Sequence, residues 1–387
     1  MANAIEAAVK PAVLKWARES SGSSVEGAAR HARVAGSTFA RWETAESSLR
    51  LGQLRALADY FKRPLAALLL PQPPPEPALP TDFRKLPGRS GHFERDTRLA
   101  IRRAMRLQAL AHDLTQALKH DAAPLIGRAQ RSDDPEGVAD RERQRLGISI
   151  DAQFGWKNPW QALRTWRAAA EGRNLLVLQL PIPVEDVRGF SLSETAPVAI
   201  VVSSSDAAQA RIFTLFHEYA HLLLRESGIC VPEPALAATG PLAAVEQWCN
   251  RFAGALLVPA PALASLLGAC VPLRSESDLV EAAEEGARRF RVSRLVVLRR
   301  LLDVGLTSKP EFQRVAQGLT RKQKARKAGG GAADPARKCL AENGRIFTSL
   351  VLEARSRGLI NYSDVADYLG LRLKYLKEVE TSLLVAA

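Results

Sequence analysis

The ten residues PQPPPEPALP at 71–80 constrain this chain more than any other stretch. Proline fixes φ and has no N–H to donate, so such a run cannot sit inside a helix or a central strand. It makes a stiff, extended connector. A second break comes at RKQKARKAGGGAADPARK (321–338), first basic and then glycine-rich, the composition of a flexible tether. The 387 residues are therefore expected to fold as separate modules. One spans 1–70, a large middle follows the connector, and a helical module at 339–387 follows a linker over 311–338.

Charge bounds the partners. Lys and Arg number 54 against 41 Asp and Glu, a formal net charge of +13. A surplus of that size suits a polyanion, nucleic acid above all, although a basic surface also serves solubility. Cys230, Cys249, Cys270 and Cys339 form no C-x-x-C pair, which fits reduced thiols better than a stapled secreted framework. No apolar run approaches the roughly 18 residues of a membrane span, and the N-terminus lacks the apolar core of a signal peptide. These features predict a cytoplasmic protein with no membrane partner.

The first module reads as short helices. Leu14, Trp16 and Ala17 lie on one, and SVEGAARHA (24–32) turns Val25, Ala28 and Ala29 inward. After a break at RVAG, Ser37 is placed to cap the helix STFARWE (37–43), and LGQLRALADYF (51–61) is amphipathic. Two short helices joined by a tight turn are the pattern of a helix-turn-helix. AARHARVAGSTFARWE with LRLGQLRALADYFKRPLAALL resembles the Xre-type (lambda-repressor-like) helix-turn-helix family. The resemblance implies a recognition helix beginning at Ser37, with Ser37, Thr38 and Arg41 facing duplex DNA and Phe39 and Trp42 in the core. Gly27 departs from a good helix former. Some members of that family dock proteins instead, so either partner is open.

Residues 81–150 read as a polar helical connector. RDTRLAIRRAMRLQALAHDLTQAL (95–118) forms one long helix, with His112 and, just beyond it, His120 expected on solvated faces. From 151 to 310 the character changes. NLLVLQLPI (174–182) and APVAIVVSSSD (196–206) read as strands leading into FTLFHEYAHLLLRESG (213–228), a helix with Gly228 as its stop. His217 and His221, four apart, share one helix face, and the chain holds only 6 histidines. Two imidazoles so placed can hold one zinc ion, with Glu218 as the base for the water that the metal activates. The bland alternative is a pair of hydrogen-bonded core histidines. Downstream, VEQWCNRFAGALLVP (245–259) is amphipathic through Trp248, Phe252, Ala255 and Leu256, and Glu246 could turn toward the first helix. Cys230 and Cys249 fit small buried hydrophobes better than thiolate ligands.

HEYAHLLL followed by EQWCNRFAGALLVP resembles the ImmA/IrrE family of zinc metallo-endopeptidases over roughly 150–310, and VRGFSLSETAPVAIVVSSSDAAQARIFTLF fits the same family. The resemblance implies that Glu246 is the third zinc ligand and that Asn250 and Arg251 brace the helix pair. It also implies a protein substrate, a transcriptional repressor. By fold analogy the strand at 198–202 would pair with an extended substrate. The expected fold is α+β and mostly helical. It has an all-α helix-turn-helix, a zincin-like middle whose small sheet packs on the histidine helix, and a C-terminal helical module. The contrasting expectation is a non-enzymatic Xre-type regulator or antitoxin-like protein that uses the zinc fold as sensor or scaffold.

Overall fold

The structure, a computed structural model, describes residues 6–76, 93–225, 229–230, 241–268, 273, 275–323 and 334–385. The chain divides into two compact units, Met1–Arg103 and Ala104–Ala387. Four residues of the proline-rich connector (77–80) and residues 324–333 of the basic, glycine-rich tract lie outside the described residues.

The first unit contains β1 (Glu6–Ala7), α1 (Pro11–Ser20), α2 (Val25–Ala32), α3 (Gly36–Glu43), β2 (Leu49–Arg50) and α4 (Leu51–Phe61). Its core gathers Leu14, Ala28, Phe39, Trp42, Leu54, Leu57 and Phe61 from all four helices. Ser24 caps α2 by accepting from Gly27 N, and Arg33 ends it in the left-handed conformation. Only Val34 and Ala35 then precede α3. This turn is so short that α3 starts at Gly36 behind Ala35, with no side-chain cap. Ser37 is thus inside the helix and not its cap, contrary to expectation. Gly27 has a packing reason, because a Cβ there would stand 2.6 Å from Tyr60 Oη. Arg18 on α1 donates Nε and Nη2 to both oxygens of Glu43 at 2.7 and 2.9 Å, tying α1 to the end of α3.

α5 (Arg95–Leu118) begins in this unit and is one continuous helix, as the sequence indicates. Arg95 donates to Tyr60 O and Arg102 to Lys62 O, which satisfies carbonyls at the end of α4. In the second unit its later residues hold a loop: Gln108 Nε2 shares its two N–H groups among Leu192 O, Thr195 O and Pro197 O. His112 is half-buried, with Nδ1 2.7 Å from Ala196 O, so it is not the solvated residue expected. His120 is exposed and pairs with Glu353.

The second unit continues with α6 (Pro135–Leu146), α7 (Ile150–Phe154) and α8 (Pro159–Glu171). A four-stranded sheet follows, made of β3 (Leu176–Leu180), β4 (Gly189–Leu192), β5 (Ala199–Ser203) and β6 (Ile229–Cys230) in the order β3-β5-β4-β6. β3 runs parallel to β5, and β4 is antiparallel to both β5 and β6. The strand expected to receive substrate is β5. It is paired on both sides and cannot accept another strand, so that expectation is corrected.

α9 (Ala208–Leu224) packs on β4 and β5, with α10 (Pro241–Leu257) beside it. Arg225, left-handed, ends α9 short of Gly228, which lies outside the described residues. α11 (Ala260–Leu267), α12 (Glu276–Phe290), α13 (Arg294–Asp303) and α14 (Lys309–Gln323) close the core behind α10. The last helices are α15 (Pro335–Asn343), α16 (Arg345–Ser356), α17 (Tyr362–Leu369) and α18 (Leu376–Val385); α15 packs against β3. Among the described residues no single helix is long and apolar enough to cross a membrane.

Candidate metal centre

An aromatic ladder sets the histidine helix in place. Trp166 of α8 meets Phe216 edge-on at 4.9 Å, and Tyr219 stacks on Phe252 of α10 with ring planes 5° apart. Tyr219 also donates its hydroxyl to Glu142 at 2.7 Å. Burial pushes the Tyr219 phenol up from its ordinary value and the Glu142 charge adds to this, so it stays a donor. The far end of α10 is equally fixed. Arg143 donates to Leu256 O, Gln153 to Leu257 O and Arg300 to Val258 O, which satisfies three carbonyls that a helix end leaves open.

Between these anchors the polar faces of α9 and α10 meet. His217 Nε2 and His221 Nε2 are 3.2 Å apart. Glu246 reaches them with its two oxygens, Oε2 at 3.1 Å from His217 and Oε1 at 3.3 Å from His221. Asn250, one turn further along α10, places Oδ1 3.0 Å from His217 Nδ1. Asn250 therefore braces the helix pair, as the resemblance implied. Arg251 does not: among the described residues no hydrogen bond or ion pair joins it to α9.

The donor set suits a divalent cation. Two imidazole nitrogens and a carboxylate converge on one point, where a single bound cation would satisfy all three at once. One ligand atom from each of His217, His221 and Glu246 lies within 4.8 Å of the others. Asn250 Oδ1 accepts a hydrogen bond from Nδ1–H, which selects the His217 tautomer whose Nε2 is free to ligate. Burial works against charge on His217, yet the hydrogen bond and charge of Glu246 outweigh it and raise its pKa. Burial likewise opposes the Glu246 carboxylate, but hydrogen bonds with His217 and His221 hold its pKa well below the carboxylate range.

Glu218 is fully buried beside the candidate ligands. Burial raises its pKa; the two histidines pull it down in part, and a hydrogen bond with the Ser191 side chain joins it to β4. Ser191 escaped the sequence reading because a lone serine in GFSL carries no spacing signal. Cys249 is buried in the core as expected, and the Cys230 side chain and Cys270 lie outside the described residues.

In the first unit, Ser37 and Arg41 are exposed on one face of α3, and Thr38 is half-buried at its margin. Arg41 is 3.8 Å from Glu46. Phe39 and Trp42 fill the core beneath them.

Comparison with protein families gives two matches: an IrrE N-terminal-like domain over residues 170–302 and a helix-turn-helix domain over residues 12–69. No curated protein matches the chain. The first match takes in the sheet, α9 and α10, and the second takes in α1 to α4. Residues 170–302 are therefore an IrrE N-terminal-like peptidase domain, and residues 12–69 in front of it are a helix-turn-helix domain.

Proposed function

We propose that this protein is a cytoplasmic zinc endopeptidase that hydrolyses peptide bonds of one regulatory protein, a transcriptional repressor. Its helix-turn-helix unit would bind duplex DNA or the partner to be cut. The observation that carries the reading is the convergence of His217, His221 and Glu246 with the buried carboxylate of Glu218 beside them. His217, His221 and Glu246 would hold the zinc, whose chemistry is to polarise a carbonyl and acidify water at neutral pH. Two neutral imidazoles and one carboxylate leave the centre at a formal charge of +1. Glu218 takes the proton from the attacking water and delivers it to the leaving amine. Its raised pKa makes it a stronger base than an exposed carboxylate. Ser191 fixes the direction in which that carboxylate points. The choice of a repressor as substrate rests on the family resemblance and the helix-turn-helix companion.

The deciding experiment compares protein sizes in cells expressing the wild type or Glu218→Gln. A protein shortened only by the wild type is the substrate. If no protein differs under any growth condition, the non-enzymatic regulator becomes the better reading.

A further inference from the structure

A cavity of about 550 Å³ opens between α6, α10, the start of α11 and the end of α13, and none of the metal-site residues lines it. Its size is that of a small-molecule site. Ala255, Pro259, Ala260 and Val304 give it apolar walls, and five charged side chains reach it.

Four of the five are already committed. Glu136 pairs with the fully buried Arg300. Arg143 spends Nη1 on Leu256 O and Nη2 on Gln153 Oε1, both at 2.7 Å. Asp303 pairs with Arg299 at 3.2 Å, and Asp140 accepts from Gln144 at 3.0 Å. Arg251 is the exception. It is half-buried, and among the described residues it makes no hydrogen bond or ion pair; its charge reaches Asp303 only at longer range. A guanidinium partly removed from water without a partner favours an anion, and a carboxylate matches its fork with two parallel hydrogen bonds. Glu136, Asp140 and Asp303 nearby would repel a phosphate dianion, which narrows the choice to a single negative charge. The apolar walls require an aliphatic body behind it.

We propose that this cavity binds a small aliphatic monocarboxylate, held through Arg251. The site is separate from the metal centre but shares α10 with it, and Arg251 directly follows the Asn250 that holds His217.

The test is calorimetric titration of hexanoate into the full-length, zinc-loaded protein, with hexylamine as the opposite-charge control. Saturable binding of hexanoate is expected, with none of the amine. Arg251→Met keeps the aliphatic stem and should weaken binding by about tenfold or more. Ala260→Phe, which fills the cavity from a half-exposed position, should weaken it as well. The circular dichroism spectrum of each variant reports whether it is folded. Absence of saturable binding up to about 10 mM would overturn the proposal. So would equal affinity in a folded Arg251→Met, which would move the carboxylate to the metal centre.

Discussion

Glu218 and Glu246 are both carboxylates beside the histidine pair, and their surroundings suit them to opposite proposed roles. Glu246 lies against two imidazoles, which favour its ionised form, as the proposed ligand role requires. Glu218 is buried with its pKa raised, which suits the proposed role of base. Glu218→Gln should therefore keep about one zinc per chain and lose cleavage, whereas Glu246→Ala should lose metal and cleavage together. Elemental analysis beside the cleavage assay separates the two, and normal cleavage by Glu218→Gln would remove it from the role of base. Metal binding should also depend on pH. The metal-free His217 has a raised pKa, so its ion pair with Glu246 stabilises the fold below the ordinary imidazole value of about 6.5 and fades as pH rises through the raised value. Zinc held by His217 would have to displace that proton, so affinity should climb through the same interval and then level off. Titrations in buffers of different ionisation heat would show proton release at the lower pH values; a flat profile would contradict the protonation assigned to His217. The histidine pair was legible in the sequence because its chemistry is written as a spacing on one helix. Glu246, 25 positions beyond His221, came only through resemblance. Ser191 was not legible, since it reaches Glu218 through the sheet and not along the chain.

β4 shows how one element decides the fit between sheet and helix. A Cβ on Gly189 would collide with the Thr214 methyl of α9 and stand 2.8 Å from Val201 O on β5. β4 lies as close to α9 as it does because this position has no side chain. Gly189→Ala should push the strand away and cost about 1–3 kcal/mol of stability, as overpacking does. Because Ser191 would shift with it, catalytic turnover should fall by more than zinc content does. Denaturant unfolding beside metal analysis tests this, and an unchanged unfolding midpoint would show that the contact relaxes freely. β4 itself was missed in the sequence: GFSL is four residues long, with no run of β-branched residues to announce it. The order of the strands was hidden for a different reason. Which strand is central depends on pairing between distant segments, and the sequence of β5 is equally compatible with an edge or a centre. The long α5 and the amphipathic α4, whose periods are local, were read with their bounds intact.

At the scale of the molecule, the first compact unit runs to Arg103, so Arg95 and Arg102 belong with the helix-turn-helix. A fragment of residues 1–103 should be more stable than one of residues 1–70, because the shorter piece loses the groups that satisfy the end of α4. The longer fragment should bind duplex DNA with an affinity that drops steeply as salt increases, since each neutralised phosphate releases counterions. Arg41→Ala should reduce discrimination between DNA sites and leave zinc content unchanged. Anisotropy titrations at two salt concentrations are the measurement, and no binding even at low salt would assign the exposed face of α3 to a protein partner. The ligand set has one more consequence for the whole chain. Two of the proposed ligands sit on α9 and the third on α10, so a bound zinc would close a loop of about 25 residues, much as a disulfide does. A covalent link of that span stabilises a fold by about 3 kcal/mol, and this one can be withdrawn. The metal would then act as a removable staple, and a cell short of zinc would hold a chain that is both inactive and easier for other proteases to destroy.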